Sequence, residues 1–284
     1  MHVVFLSSDK ARERILSEAF VAGVKAHGDT YEVHRLQPEP VTYEQADAVC
    51  MVGVKSKELF RGHVRAGVHV VMLDKGYSRH AVSGAVRAWE YWRVAVDAHH
   101  PTHYLDRIAR PSDRFERLKL DVKPWRKKGE HVVFAGSSAK YHSFYDLPDP
   151  TRYAYKMLRR LSGQTSRRLV YRPKPSWKDA EPIAGSDYSE GGSIADVLEG
   201  AHALVTHGSN ACFEAVISGV PCIITGDAVA KNISSHDCED IENLRLATDE
   251  ERMQWLSNLS YCQWTMREML SGEAWQYIRP EIYG

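Results

Sequence analysis

The chain has 284 residues, of which 43% are hydrophobic and 26% charged, a composition that is typical of globular proteins and excludes a disordered chain. Its five cysteines are scattered and include no C-x-x-C pair, which argues against a disulfide framework or a zinc site and favours a reducing cytoplasm. The net charge is zero, yet residues 51–180 hold 27 Lys/Arg against 12 Asp/Glu, whereas residues 181–284 hold 5 against 17. Such a basic region can bind a polyanion, or it can attract the acidic tail of the same protein.

The first half alternates short apolar runs with helical patterns, as parallel α/β units do. Strands are predicted at 3–6, 31–34, 48–52 and 68–73, and helices at 10–25 and 55–65. The first apolar run is too short for a membrane span, so we expect no membrane insertion. A polar stretch with a proline at 121–129 predicts a linker between a domain at 1–125 and a domain at 126–284.

The second half repeats the α/β alternation. Strands are predicted at 131–135, 169–171, 203–206 and 221–225, and helices at 151–161, 194–198 and 210–218. The segment 250–278 has a helical pattern rich in Trp and Tyr. We expect it to pack back against the first domain.

The most informative stretch is the turn after the predicted strand 203–206. Gly208 and Ser209 are small enough for a ligand to approach the backbone, and a helix that begins there would direct its N–H groups at a phosphate. Asn210 and Glu214 share one face of that helix, where a carboxylate can accept hydrogen bonds from ribose hydroxyls. Taken singly, each residue also fits an ordinary crossover in which Ser209 caps the helix.

Two further strands end in residues suited to a ligand. The predicted strand 169–171 is followed by Arg172 and Lys174, two cations at the carboxyl edge of a sheet, where ligands of open α/β sheets bind. Solvated edge charges are the alternative. The predicted strand 131–135 continues into Gly136 and Ser137.

These motifs resemble the C-terminal half of bacterial capsule-polysaccharide transferases and related GT-B glycosyltransferases. In that family a K-P-H-P-like motif and an [HS]-x-S-x-x-x-x-E-A-x-x-x-G-x-P motif hold the nucleotide of the donor. Lys174 and Pro175 match the basic end of the first motif and Ser193 its loop serine, although Lys174 stands where the family has a histidine. The second motif is matched by His207, Ser209, Glu214, Gly219 and Pro221.

The resemblance implies an α/β fold of GT-B type, in which two Rossmann-like domains face each other across a cleft. It also implies sugar transfer without a metal or a tightly bound cofactor, from a nucleotide-sugar donor of the UDP-sugar type. The residues expected to bind that donor are Gly136, Ser137, Arg172, Lys174, Ser193, His207, Gly208, Ser209, Asn210 and Glu214.

In an enzyme similar to this family, the N-terminal half supplies the acceptor site and the catalytic base. Asp74, which follows the predicted strand 68–73, is the first choice, and His80 and His99 are further catalytic candidates. A helix cap or a salt bridge is an equal alternative for Asp74. His99, His100 and His103 have no carboxylate or cysteine at matching spacing, so no metal site is predicted.

The cations of residues 51–180 are interleaved with aromatic residues, a pattern that suits phosphate contacts and base stacking. We therefore predict a DNA acceptor, the hydroxyl of 5-hydroxymethylcytosine in phage DNA in the host cytoplasm, flipped out of the duplex. The predicted acceptor residues are Lys75, Tyr77, Arg79 and Trp92. The alternatives are transfer to a capsule or lipopolysaccharide sugar, and a nucleotide-sugar epimerase or binder that transfers nothing.

Overall fold

The computed structural model describes residues 1–37, 39–78 and 91–283. Its strands are β1 (His2–Ser7), β2 (Thr30–Arg35), β3 (Ala48–Val52), β4 (His69–Lys75), β5 (Tyr91–Val96), β6 (His131–Ala135), β7 (Arg168–Arg172), β8 (Asp187–Tyr188), β9 (Ala201–Thr206), β10 (Cys222–Ile224) and β11 (Gln263–Thr265). Its α-helices are α1 (Ala11–Ala26), α2 (Lys57–Arg65), α3 (Asp113–Arg117), α4 (Ala139–Phe144), α5 (Pro150–Ser162), α6 (Ile194–Leu198), α7 (Ala211–Ile217), α8 (Asp249–Ser260), α9 (Met266–Ser271) and α10 (Glu273–Tyr283).

The chain divides into two compact units. Unit 1 comprises Met1–Pro101 and Ser257–Gly284, and unit 2 comprises Thr102–Leu256. The sequence placed this division near residue 125, in a predicted linker at 121–129. That stretch instead packs inside unit 2, where the backbone N–H of Arg126 donates to the Gly219 carbonyl at 2.7 Å and the indole N–H of Trp125 donates to the Ala247 carbonyl at 2.7 Å.

Unit 1 is built on a six-stranded sheet in the order β11-β5-β4-β3-β1-β2. The pairs from β4 to β2 are parallel, whereas β5 and β11 run antiparallel to their neighbours. The central strands are continuous apolar runs because both faces of a parallel sheet are covered; all five residues of β3 are buried. On one face, Phe20 of α1 meets Trp275 of α10 edge to face, with ring centroids 5.6 Å apart.

The C-terminal segment corrects one prediction. The sequence predicted a single helical region at 250–278, but β11 interrupts it and pairs antiparallel with β5, burying Trp264 completely. The Thr265 side chain accepts a hydrogen bond from the Glu268 backbone N–H and starts α9 after the strand. Gly272, with φ +88°, then separates α9 from α10. A three-residue strand is too short to interrupt a helical pattern visibly.

Unit 2 is built on a five-stranded, fully parallel sheet in the order β10-β9-β6-β7-β8. The chain runs outward from β6 through β7 to β8, and then returns to place β9 on the other side of β6. The order of strands therefore reverses between β6 and β9. In open α/β sheets, ligands bind outside the carboxyl ends of the strands at such a reversal.

The predicted fold class, α/β with two Rossmann-like units, is confirmed in each unit. One boundary bears on the site prediction, because β4 extends to Lys75 and Asp74 therefore lies inside the strand instead of after it. Within the described parts of the chain, no helix combines the length and apolar character that crossing a membrane requires.

Candidate functional site

The loops after β6 and β9 meet at the strand reversal of unit 2. Thr206, at the end of β9, is fully buried and joins them. Its hydroxyl donates to the Ala135 carbonyl at 2.7 Å and accepts from the Ser209 backbone N–H at 3.0 Å. The two loops are thereby fixed side by side at the carboxyl edge of the sheet.

Two adjacent serines in the loop after β6 have different surroundings. Ser138 caps α4, and its hydroxyl accepts from the Tyr141 backbone N–H at 3.2 Å. Ser137 is 5% exposed, and its Oγ atom has no hydrogen-bond partner among the described residues. Buried hydroxyls are rarely left without a partner, because the loss of hydration costs free energy. Ser137 is therefore the residue of this edge that most directly indicates a ligand.

Gly208 is small for a different reason than the one predicted. A Cβ atom at this position would lie 1.9 Å from Cζ of Tyr141, so the glycine makes room for the tyrosine ring. The Tyr141 hydroxyl donates to the Asp227 carbonyl at 2.8 Å, which fixes the ring across the loop. The prediction that Gly208 admits a ligand to the backbone is corrected, because Tyr141 fills that space.

The predicted cradle of helix N–H groups is also corrected. The N–H of Ser209 donates to Thr206, that of Ala211 donates to the Ser209 hydroxyl at 3.3 Å, and that of Phe213 donates to the Asn210 carbonyl at 2.9 Å. These amides are satisfied inside the protein. Since α7 has only seven residues, its dipole is also short. Three of the N–H groups predicted to bind an anion are therefore already engaged.

His207 is a neutral side chain at this edge. Its Nδ1 atom lies 2.9 Å from the Tyr153 hydroxyl, and a Cβ atom on Gly226 would lie 2.2 Å from its Nε2 atom. Burial, together with the nearby His142 and Lys231, lowers the pKa of His207 to about 4. At neutral pH the imidazole is therefore uncharged, and it can donate or accept a hydrogen bond without carrying charge.

Asp227 was not predicted from the sequence. It follows β10 at the same carboxyl edge, and its carboxylate accepts hydrogen bonds from the hydroxyls of Tyr145, at 2.5 Å, and Thr102, at 3.4 Å. Its carbonyl holds Tyr141. No motif singles out this residue; the available signal was a Gly-Asp pair directly after the predicted strand 221–225.

The remaining predicted donor residues are spread along the same edge. Arg172 is buried, and its guanidinium donates to the carbonyls of Ser189, at 3.1 Å, and Gly192, at 2.7 Å, and to that of Gly191. It therefore fixes the loop after β8, which corrects its prediction as a free phosphate-binding cation. Lys174 is half-buried just beyond β7.

Gly136, Ser193, Asn210 and Glu214 complete the predicted set. The Gly136 N–H donates to the Arg172 carbonyl at 2.9 Å, which joins the ends of β6 and β7. Ser193 is exposed and caps α6, accepting from the Asp196 backbone N–H at 3.2 Å. Asn210 precedes α7 and makes no side-chain cap bond, and Glu214 lies half-buried in the first turn of that helix.

In unit 1, the predicted base Asp74 belongs to a buried polar network. Its Oδ2 atom lies 3.1 Å from Arg93, whose guanidinium also reaches Nε2 of His99 at 2.5 Å. Burial raises the pKa of Asp74, but Arg93, His99 and the Lys75 N–H lower it further, to well below its ordinary value. A general base works best with a pKa near the working pH, so neither Asp74 nor the engaged Nε2 of His99 fits that role well.

Two predicted acceptor residues are part of the core. Tyr77 is 2% exposed and its hydroxyl lies 2.8 Å from Nδ1 of His100, while Trp92 is 6% exposed in β5. A flipped base cannot stack on either ring, which corrects their prediction as DNA contacts. Lys75 is half-buried at the end of β4. Arg79 and His80 lie outside the described residues, and their roles stay predictions.

The charge segregation also has a different meaning in the folded chain. Unit 2 contains both the basic stretch from residue 102 and most of the acidic tail. It holds 22 Lys/Arg and 22 Asp/Glu. Of the 37 residues of each sign in the chain, 15 of each remain for unit 1. Arg160 pairs with Asp237 at 2.6 Å and Arg167 with Glu242 at 2.8 Å. The charges thus attract one another within one unit, so the uneven charge along the chain does not by itself indicate a DNA-binding surface.

A second buried ion pair in unit 1 was missed by the sequence analysis. Glu13, in the first turn of α1, is 2% exposed and lies 2.8 Å from Nζ of Lys55, which follows β3. Ser8 donates to the same carboxylate at 2.6 Å. These residues lie at the reversal between β1 and β3, the counterpart of the β6 and β9 reversal. In the described residues, no group of three His, Cys, Asp or Glu could hold a metal ion.

Neither a protein-family model nor a curated protein sequence matches this chain. Among solved structures, the beta Kdo 2,7 transferase KpsC from Thermosulfurimonas dismutans is similar over 96% of this chain and 99% of its own, with 13% identity and a TM-score of 0.53. The fold is of the GT-B type. At this identity the similarity establishes the fold alone.

Two glycosyltransferases are similar at lower scores. The enzyme SnogD from Streptomyces nogalater has a TM-score of 0.30 with 11% identity, over 99% of both chains. The calicheamicin glycosyltransferase CalG4 has a TM-score of 0.33 with 12% identity, over 98% of both chains. Neither score is high enough to add to the fold assignment.

Proposed function

We propose that this chain is a glycosyltransferase that binds a nucleotide-sugar donor at the carboxyl edge of the unit 2 sheet. The observation that carries the proposal is the unpartnered, buried hydroxyl of Ser137 at the strand reversal, where α/β folds of this kind bind ligands. The GT-B fold and the similarity to a Kdo transferase support the same reaction class.

In the reaction, an acceptor hydroxyl oxygen attacks the anomeric carbon and loses its proton to a general base, while the bond from that carbon to the donor phosphate breaks and the phosphate leaves with the electron pair. Ser137 donates a hydrogen bond to the bound nucleotide, and Lys174 compensates the charge that develops on the leaving phosphate. Glu214 accepts from the ribose hydroxyls. His207, neutral at working pH, positions the donor by hydrogen bonding, and Arg172 acts indirectly by fixing the loop after β8.

We propose a saccharide hydroxyl as the acceptor. The resemblance of the motifs to capsule-polysaccharide transferases supports a sugar acceptor, whereas each unit has a net charge of zero, which gives no support for DNA binding. DNA containing 5-hydroxymethylcytosine, the acceptor predicted from the sequence, is included in the test as a second possible acceptor. Of the three catalytic candidates predicted from the sequence, Asp74 and His99 are held in the Arg93 network, whereas His80 lies outside the described residues and stays a prediction.

The test is to incubate the protein with a panel of nucleoside mono- and diphosphate sugars and with oligosaccharides, plain DNA or hydroxymethylated DNA, and to identify products by mass spectrometry. We expect nucleotide release that depends on a saccharide acceptor. If sugar is found on hydroxymethylated DNA alone, the acceptor is DNA and not a saccharide. If the nucleotide sugar is converted without any acceptor, the protein is an epimerase and not a transferase. Absence of both binding and turnover across the panel would overturn the proposal.

Ser137→Ala is the sharpest variant, because its hydroxyl has no bond in the folded protein to lose. We expect the KM for the donor to rise about tenfold, because the variant loses one hydrogen bond to the donor of about 1.4 kcal/mol. The melting temperature without donor should not change. Ser162→Ala, whose hydroxyl bonds to the Arg159 carbonyl on the far end of α5, is the control and should leave KM unchanged. Equal KM values for both variants would remove Ser137 from the site.

A further inference from the structure

The outer edge of β2 presents an exposed strand. It is the last strand of the unit 1 sheet, and among the described residues no strand pairs with its outer side. Tyr31 is 40% exposed and Val33 is 54% exposed. An exposed edge of this length with apolar side chains favours pairing with another strand.

The hydrogen bonds to β1 fix which residues of β2 face outward. The N–H groups of Thr30 and Leu36 donate to β1 residues, at 2.8 Å to the Met1 carbonyl and 2.8 Å to the Ser7 carbonyl. Because alternate residues of a strand face the same neighbour, Tyr31, Val33 and Arg35 direct their backbone groups away from β1. The outward carbonyl of Arg35 already accepts from the Gln37 side chain at 3.2 Å, an exposed contact that a partner strand can replace.

We propose that two copies of this chain associate by antiparallel pairing of β2 with β2 about a two-fold axis. Outward-facing residues must stand opposite outward-facing residues, so Val33 can face the second copy's Val33, Tyr31 or Arg35. If Val33 stands opposite Tyr31, the two Glu32 side chains face each other. If Val33 stands opposite Arg35, the two His34 side chains face each other and fewer residues pair. Only the register with Val33 opposite Val33 avoids these like pairs.

Side-chain complementarity supports this Val33 to Val33 register, because carboxylates then meet imidazoles instead of one another. Glu32 then stands opposite His34 at both ends of the pair, and Tyr31 stands opposite Arg35, a cation over an aromatic ring. Within one chain, Oε2 of Glu32 lies 2.6 Å from Nε2 of His34 on one face of the strand. On that face, Glu32 of each copy can contact His34 of the other. The Arg35 guanidinium forms an exposed ion pair with Asp9, and such pairs are weak enough to rearrange.

The surface next to the strand has room for the second copy. A groove of about 630 Å³ lies between α1 and β2 and is lined in part by Val21, Ala22, Tyr31 and Val33. Directly opposite residues of an antiparallel pair project from the same face, so the second copy's Tyr31 and Val33 would cover this groove. The assembly would join two six-stranded sheets into one continuous sheet with an isologous interface.

The test is the mass of the protein in solution by sedimentation equilibrium, from about 1 to about 100 µM, the range of weak, small interfaces. We expect the wild-type chain to approach twice 32.2 kDa. Val33→Pro should be monomeric with little change in melting temperature, because the N–H at 33 makes no bond to β1 and proline is accepted at such edge positions. Glu32→Pro is the matched control; it removes an N–H that faces β1 and should lower the melting temperature.

A charge exchange tests the register independently. His34→Glu places carboxylates opposite Glu32 and should raise the dissociation constant about tenfold, whereas the double variant Glu32→Lys with His34→Glu restores opposite charges and should return it to within about threefold of wild type. A wild-type chain that stays monomeric over the whole range overturns the proposal. So does a Val33→Pro variant that stays dimeric, or a double variant that dimerises no better than the single one.

Discussion

The carboxyl ends of the parallel strands in the two sheets are surrounded by different kinds of side chain. In unit 1, the reversal between β1 and β3 contains the ion pair of the buried Glu13 with Lys55, and the end of β4 contains the pair of the half-buried Asp74 with the buried Arg93. In unit 2, the reversal between β6 and β9 contains hydroxyls, tyrosines and the neutral His207. The same topology thus carries paired charges in one unit and mostly uncharged polar groups in the other.

The difference shows what kind of edge can accept a ligand. A buried charge needs a partner of opposite sign, so the pairs of unit 1 satisfy one another and hold the strand ends in place. The edge of unit 2 contains Ser137, whose hydroxyl gains a hydrogen bond only when something else supplies one. We therefore infer that the first edge contributes mainly to stability and the second to binding.

Removing the Lys55 ammonium, which pairs with Glu13, should have the largest effect on stability. Burial raises the pKa of Glu13, but Lys55 and Ser8 lower it further, so the carboxylate is ionised at neutral pH. Lys55→Ala leaves this buried carboxylate with only the exposed Lys10 ammonium, at 3.9 Å, among its ion-pair partners, and should reduce the free energy of unfolding by about 3 kcal/mol at pH 7 in urea titrations. Lys57→Ala, which removes a surface ion pair with Glu58, should change it by about 0.5 kcal/mol or less. A Lys55→Ala variant as stable as Lys57→Ala would contradict a structural role.

A methyl group at Gly208 should have the next largest effect. It would collide with Tyr141 at 1.9 Å and break the hydroxyl contact with Asp227, so Gly208→Ala should cost about 3 kcal/mol and weaken nucleotide binding. At Gly136 a Cβ atom would find only ordinary contacts, the nearest at 3.5 Å from Pro173. Gly136→Ala should therefore cost less than about 1 kcal/mol. Equal losses in thermal denaturation would show that Tyr141 does not occupy the described position.

The neutral His207 predicts a pH dependence. Its pKa is about 4 in the folded protein against an ordinary value of 6.5, so the unfolded chain binds the proton first as the pH falls. Its contribution to stability is complete above pH 6.5 and is lost between 6.5 and 4, by about 1–3 kcal/mol. His207→Asn should flatten that part of the stability curve, whereas the same change at the exposed His236 should not. Parallel curves for wild type and His207→Asn would contradict the burial of this ring.

The smallest effects separate the two neighbouring serines. Ser138→Ala removes the cap of α4 and should cost about 1 kcal/mol. Ser137→Ala removes a buried hydroxyl without a partner and should leave stability within about 0.5 kcal/mol of wild type, or raise it. Differential scanning calorimetry without nucleotide distinguishes them. A loss at Ser137 as large as that at Ser138 would indicate a hydrogen bond within the protein.

The fold could be predicted well from the sequence because buried parallel strands are continuous apolar runs. The strands at 48–52 and 131–135 were predicted with their observed bounds, as was the helix at 194–198. The strands β5 and β11 were not predicted. β5 (Tyr91–Val96) is an apolar run interrupted only by Arg93, and β11 (Gln263–Thr265) has only three residues. Their pairing depends on contacts between residues far apart in sequence, which no local pattern carries.

The site could be predicted by location but not by role. The sequence predicted donor-binding residues at the ends of β6, β7 and β9, and these strands are adjacent in the sheet. It could not show that Gly208 accommodates Tyr141 or that the Arg172 guanidinium is engaged by the Ser189–Gly192 loop, because both depend on side chains from other elements. Charge counts along the chain misled for the same reason, since Arg160 and Asp237 pair only after folding.

Amide hydrogen exchange with and without donor nucleotides tests the central claim most directly. The protein is labelled alone and with saturating nucleoside mono- or diphosphate sugar, and peptides covering 136–141, 206–214 and 8–13 are compared by mass spectrometry. The account predicts slower exchange at 136–141 and 206–214, the loops at the β6 and β9 reversal, and little direct change at 8–13. Slower exchange confined to 8–13, or no change in any of these peptides while nucleotide is bound, would contradict it.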